Sequence, residues 1–85
     1  MMFTPMSSDV APEVLDWVAR FAAATGTEAP TADEIDQLLA VAGVAAHASA
    51  RQAAPLTTWL AGRAGISPDE ALRLARTLAP DEEPS

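Results

Sequence analysis

Two serine/threonine-to-glutamate spacings constrain this chain more than any other feature. Thr31-Ala32-Asp33-Glu34 and Ser67-Pro68-Asp69-Glu70 each set a hydroxyl three residues ahead of a carboxylate. In such a capping box the hydroxyl accepts from the backbone N–H of the third helical residue, and the carboxylate accepts from the N–H of the cap. Two helices must therefore open at these points, the second reinforced by Pro68 at its first position. Gly26 and Gly65 stand where a left-handed residue ends a helix, and Pro80 cannot continue one. The apolar residues between these marks recur at helical spacing. The pattern predicts an all-α fold: a single small four-helix bundle-like domain over 9–79, a flexible leader over 1–8 and an acidic disordered tail over 80–85.

The first helix is expected over 10–25, capped by Asp9, with Pro12 tolerated in the first turn. Val14, Trp17, Val18 and Phe21 would face inward, and Glu13, Asp16 and Arg20 outward, Asp16 and Arg20 being an i,i+4 pair. The second helix, expected over 32–50, starts with an inner stripe of Ile35, Leu38 and Leu39 that continues through Ala42, Ala45 and Ala46. Val41, Val44 and Ala48 form a second apolar stripe roughly 120° away. A helix apolar on two faces is either central in a bundle or meets another chain, which makes Val41, Val44 and Ala48 candidate interface residues in a homodimer or with another protein. Gly43 costs about 1 kcal/mol of helix stability relative to alanine, which hints at close approach of a neighbouring helix. Ser49 falls on the inner stripe, where its hydroxyl can bond back to the Ala45 carbonyl. Pro55 is expected to open a third helix reaching Ala64, with Leu56, Trp59 and Leu60 inward. A fourth, over 68–79, would bury Ala71, Leu74, Ala75 and Leu78 and leave Arg73 and Arg76 solvated.

Size and composition bound the function classes. A chain of 85 residues buries only about 60 to 65% of its unfolded surface, so a partner is a natural supplement to its core. Cysteine is absent, which excludes disulfides, thiolate metal sites and a thiol nucleophile, and fits a reducing cytoplasm. No stretch approaches the roughly 18 apolar residues of a membrane span. The net charge of −7 argues against phosphate backbones and anionic membrane surfaces, so neither nucleic acid nor membrane is an expected partner.

The chemistry-bearing residues concentrate between His47 and Gly65. Histidine changes charge near neutrality, which makes His47 a candidate ligand or acid–base group, although a lone histidine among alanines is ordinarily a packing or capping residue. No second His, Cys or carboxylate recurs beside it at i,i+3 or i,i+4, so no metal site is expected. If Pro55 opens a helix, Ala54 offers no capping side chain, and the N–H groups of Leu56, Thr57 and Thr58 are left free. Together with His47, Arg51 and the Thr57 and Thr58 hydroxyls they form a candidate anion site for the phosphate of a nucleotide or pterin. Water or the Gln52 side chain would satisfy the same groups. The helix, turn and helix of WLAGRAGISPDEALRLA match a helix-turn-helix in outline, but its second helix would present Asp69 and Glu70 to DNA. LAGRAG at 60–65 lacks the strand and lysine of a nucleotide loop. No catalytic residue and no cofactor are expected.

The order Leu15-Asp16-Trp17, Leu38-Leu39, His47, Arg51 and Ala53-Ala54-Pro55-Leu56-Thr57-Thr58-Trp59-Leu60 resembles a small Ala-rich bacterial helical domain. That domain occurs alone or fused to the molybdenum-cofactor guanylyltransferase, the protein that makes molybdopterin guanine dinucleotide. The resemblance covers roughly residues 10 to 79. It implies a non-catalytic accessory or protein-interaction module of molybdenum-cofactor biosynthesis, with that guanylyltransferase as a candidate partner. The transferase's own catalytic domain is a doubly wound α/β fold with a Gly-rich loop, features this chain lacks.

Overall fold

The computed structural model describes residues 10–79, which carry four helices and no strand among them. The leader expected over 1–8, the Asp9 cap and the tail expected over 80–85 lie outside the described residues. The helices are α1 (Pro12–Thr25), α2 (Ala32–Ala48), α3 (Ala53–Ala64) and α4 (Pro68–Leu78).

Their ends follow from backbone donors and acceptors. α1 starts at Pro12 and not at residue 10, because proline has no N–H to leave unpaired at a first helical position and its fixed φ suits the turn. Ala11 takes the N-cap without a side-chain bond. At its other end the Thr27 N–H donates to the Ala22 carbonyl at 2.9 Å and the Gly26 N–H to Ala23 at 3.1 Å, with Gly26 left-handed at φ 75°. These two bonds form a Schellman motif, which fixes the direction in which the chain leaves α1. At α2 the capping box forms in full: the Glu34 N–H donates to Thr31 Oγ1 at 3.1 Å and the Thr31 N–H to Glu34 Oε1 at 2.9 Å. α2 ends at Ala48, two residues earlier than expected. Ser49 is its C-cap and donates its backbone N–H, not its hydroxyl, to Ala45 at 3.0 Å. At α4 only the hydroxyl half of the box forms, the Glu70 N–H donating to Ser67 Oγ at 3.1 Å.

α3 begins at Ala53, two residues before Pro55. Gln52 is already in helical conformation (φ −68°, ψ −19°), and the Ala53 and Ala54 N–H groups donate to the Ala50 and Arg51 carbonyls at 2.8 and 3.2 Å. A tight turn thus feeds straight into the helix. Pro55 sits third in the helix, still within the first turn, where its missing N–H leaves no carbonyl unmatched.

α2 is the central element, and α3 and α4 both pack against it. This explains its two apolar faces. Val41 is completely buried and Ala45 nearly so, although they belong to the two different stripes of the sequence pattern. α1 makes no comparable packing with the other three. The buried apolar residues of the described chain are small: Ala22, Val41, Ala45 and Ala71.

Ala71 and Ala75 on α4 turn inward as expected and Val18 on α1 is half-buried, but the inward assignments of Val14, Trp17 and Phe21 on α1, of Leu56, Trp59 and Leu60 on α3, and of Leu74 and Leu78 on α4 are corrected. α3 turns Ala54, Thr57, Thr58 and Ala61 toward α2, and α4 turns Ala71, Leu72 and Ala75 inward. Leu56, Trp59 and Leu60 on α3, Leu74 and Leu78 on α4, and Val14, Trp17 and Phe21 on α1 are exposed. α3 and α4 each carry an alanine-rich stripe beside a bulky one, and α2 is met along the small residues, where backbones approach closely. Gly43 marks no such approach. A Cβ built on it meets nothing within 4 Å.

Candidate functional site

Of the four residues of the expected anion site, Thr58 lines a cavity between α2 and α3, whereas His47, Arg51 and Thr57 line neither that cavity nor the one beside α1. With α3 starting at Ala53, the N–H groups of Leu56, Thr57 and Thr58 lie in helical register with the carbonyls of residues 52, 53 and 54 and are not left over for an anion. The Thr58 hydroxyl donates back to the carbonyls of Ala54 at 3.2 Å and Pro55 at 3.0 Å. Thr57 is half-buried on the α2-facing side of α3, while His47 and Arg51 are exposed at and beyond the end of α2. Among the described residues, no group of three or more His, Cys, Asp or Glu is placed to hold a metal ion. No described helix is long and apolar enough to cross a membrane.

The candidate interface stripe on α2 is divided by the packing. Val41 is the fully buried side chain of the fold and has no surface to offer another chain; Val44 is half-buried and Ala48 exposed. The stripe is covered at its centre because α3 and α4 both close on α2.

Chemically distinctive surface lies elsewhere, in three apolar features. The first is a groove of about 660 Å³ between α2 and α3, lined by Leu38, Leu39, Ala42, Pro55, Thr58 and Gly62 among others. Leu39 on its wall is 55% exposed. The second is the outer face of α3. At about 100° per residue, Leu56, Trp59, Leu60 and Arg63 fall on the side opposite the groove-lining Ala54, Thr58 and Ala61. Trp59 is 60% exposed and carries the Arg63 guanidinium 4.9 Å from its ring centroid, a cation–π contact. The third is α1, where Trp17 and Phe21 stack with centroids 6.2 Å apart and stand 60% and 59% exposed.

Charged groups meet these faces at Arg63 over Trp59 and at Glu28 beside Trp17 and Phe21, and the ion pairs lie among solvated side chains. Arg20 pairs with Asp16 at 3.4 Å and Arg73 with Asp69 at 3.6 Å, both i,i+4 and both solvated, as their spacing predicts. No buried side-chain polar atom lacks a hydrogen-bond partner among the described residues. The arrangement is equipped for apolar contact with another molecule.

The model of a domain of unknown function, DUF6457, matches residues 9–84. The chain belongs to the DUF6457 family. The match takes in all four helices, so the three apolar features lie within the DUF6457 domain itself. No curated protein and no solved structure matches the chain.

Sequence reasoning missed the outer face of α3 and the exposure of α1 because it assigned bulky residues inward by size. One available signal was the Ala54, Thr57, Thr58, Ala61 stripe. It is as continuous as the bulky stripe and suits close helix approach.

Proposed function

We propose that this DUF6457 chain is a non-catalytic accessory module that docks on another protein, and that the protein is the molybdenum-cofactor guanylyltransferase, acting in the cytoplasm. The observation that carries the docking half is the outer face of α3. Leu56, Trp59 and Leu60 are all more than half exposed on one stripe of a helix whose other side is packed on α2. Aromatic and arginine side chains dominate the energetics of protein interfaces, and the Trp59–Arg63 pair presents both on this face. The partner's identity rests on the resemblance described above, whose Ala53-to-Leu60 run is the same segment that builds this face.

The reading is tested by titrating the purified chain into the purified guanylyltransferase of the same organism. Binding in the micromolar range or tighter is expected, with Trp59→Ala weakening it about 30-fold or more, as loss of a hot-spot aromatic does. Trp59 lies outside the core, so the variant should keep its helical circular dichroism. Absence of binding at 100 μM (order of magnitude for a weak interface), or equal binding by the variant, overturns the reading.

A further inference from the structure

The end of α1 brings a carboxylate beside an aromatic pair. The Schellman bonds at Gly26 and Thr27 turn the chain so that Thr27 and Glu28 share a cavity of about 300 Å³ with Trp17, Phe21 and Thr25. The Trp17 and Phe21 ring planes lie within 27° of parallel, so their faces, which carry the negative end of the ring quadrupole, point in nearly the same direction. Both rings are more than half exposed. The Thr25 hydroxyl donates to the Ala22 carbonyl at 3.0 Å, and the Thr27 hydroxyl lies 2.9 Å from Thr25 Oγ1 and 3.4 Å from that same carbonyl. With the Thr25 proton directed at Ala22, Thr27 is the donor of the pair. Both hydroxyl protons are thus spent inside the chain, and these oxygens have only lone pairs to offer. Glu28 is exposed and enters no ion pair among the described residues. Glu13, one turn before Trp17, adds a second negative charge nearby, while Arg20 is paired with Asp16 at 3.4 Å. The other tryptophan already has its cation, Arg63 at 4.9 Å; Trp17 has none among the described residues.

We propose that this cavity binds a planar organic cation of the guanidinium class, laid on the Trp17 and Phe21 faces with its N–H groups donating to the Glu28 carboxylate and the Thr27 hydroxyl oxygen. The sign of the ligand follows from the acceptors. Glu28 and Glu13 repel an anion, and a neutral apolar group would gain nothing from the carboxylate and little from the ring quadrupoles. Planarity follows from the rings. A guanidinium stacks flat on an aromatic face while the edge of its fork reaches a carboxylate, and it sheds water more readily than the compact, strongly hydrated ammonium ion. The volume is at the small end of ligand sites and suits one head group, not a dinucleotide. A free guanidino compound and an arginine side chain of another chain bring the same chemistry. The cavity belongs to α1 and the connection after it, so this inference does not rest on the docking of α3 proposed above.

The chain's two tryptophans give the test an internal control. Their indole N–H signals are followed by NMR during titration with propylguanidinium and with propylurea, its neutral planar analogue, the Trp59 signal being assigned by its loss in Trp59→Phe. Propylguanidinium should shift the Trp17 signal saturably with a dissociation constant on the order of 1 mM, and propylurea should not. Glu28→Gln, at an exposed position, should weaken binding about tenfold and Phe21→Leu about threefold, with the helical signal unchanged. A blocked tripeptide with a central arginine distinguishes the sources: tighter binding than propylguanidinium assigns the site to a protein side chain, weaker binding to a free guanidino compound. Four results overturn the proposal: no saturable shift of Trp17 up to about 20 mM, an equal shift with propylurea, a Trp59 signal that titrates with the same midpoint, or unaltered affinity in Glu28→Gln.

Discussion

Alanine placed at two different glycines of this chain should move stability in opposite directions. Gly43 lies inside α2 with ordinary helical backbone and open space around it; an added Cβ meets nothing within 4 Å. Glycine in a helix interior costs about 0.8 to 1 kcal/mol relative to alanine through the backbone freedom it surrenders. Nothing offsets that cost here, so Gly43→Ala should stabilise by close to the full amount, and for a domain of this size raise Tm by about 4 to 8 °C per kcal/mol. Gly65 also has open space around it but sits at φ 76°, where a Cβ crowds the following carbonyl. Gly65→Ala should therefore destabilise by about 1 to 2 kcal/mol. Thermal melts by circular dichroism at one fixed protein concentration measure both. A destabilised Gly43→Ala variant would refute the reasoning, since it would mean that another helix lies against that line of α2, as the bare sequence suggests.

Further expectations follow from the core, the cap and the chemistry. Val41→Ala removes two buried methyl groups from the one completely buried large side chain among the described residues, and at about 0.8 kcal/mol per group plus a cavity penalty it should cost about 2 kcal/mol in chemical denaturation. Thr31→Ala breaks the hydroxyl half of the complete capping box and should cost about 1 kcal/mol, measured in the same way. On the proposed non-catalytic reading, incubation of the chain with GTP, Mg²⁺ and molybdopterin should yield no dinucleotide by chromatography, and product at enzymatic rates would overturn that reading.

The legible part of this fold is the part written in single residues. Thr31, Gly26, Gly65, Ser67 and Pro68 each solve a local hydrogen-bonding or steric problem at a helix end, and all five act where the sequence places them. The start of α3 was less legible, since Pro55 suits any position in a first turn and nothing in Arg51-Gln52 announces that those residues already turn helically. Which face turns inward was legible for most of α2, where apolar residues nearly encircle the helix and two neighbours use them although Leu39 stays exposed, and for Ala71 and Ala75 of α4. On α3 and α4 an alanine stripe competes with a leucine or tryptophan stripe. Periodicity gives both the same weight, and the packing follows the small residues. The expected anion site lost its backbone donors with the α3 boundary. A shift of two residues converts three free N–H groups into ordinary helical donors.

The central claim is that the chain leaves an apolar face on α3, Leu56, Trp59 and Leu60 beside Arg63, for another protein to cover. Calorimetric titration of wild type and Trp59→Ala into the purified guanylyltransferase tests it most directly. The account predicts binding in the micromolar range or tighter for wild type and about 30-fold weaker binding for Trp59→Ala. Equal binding by the two, or none by either at about 100 μM, contradicts it.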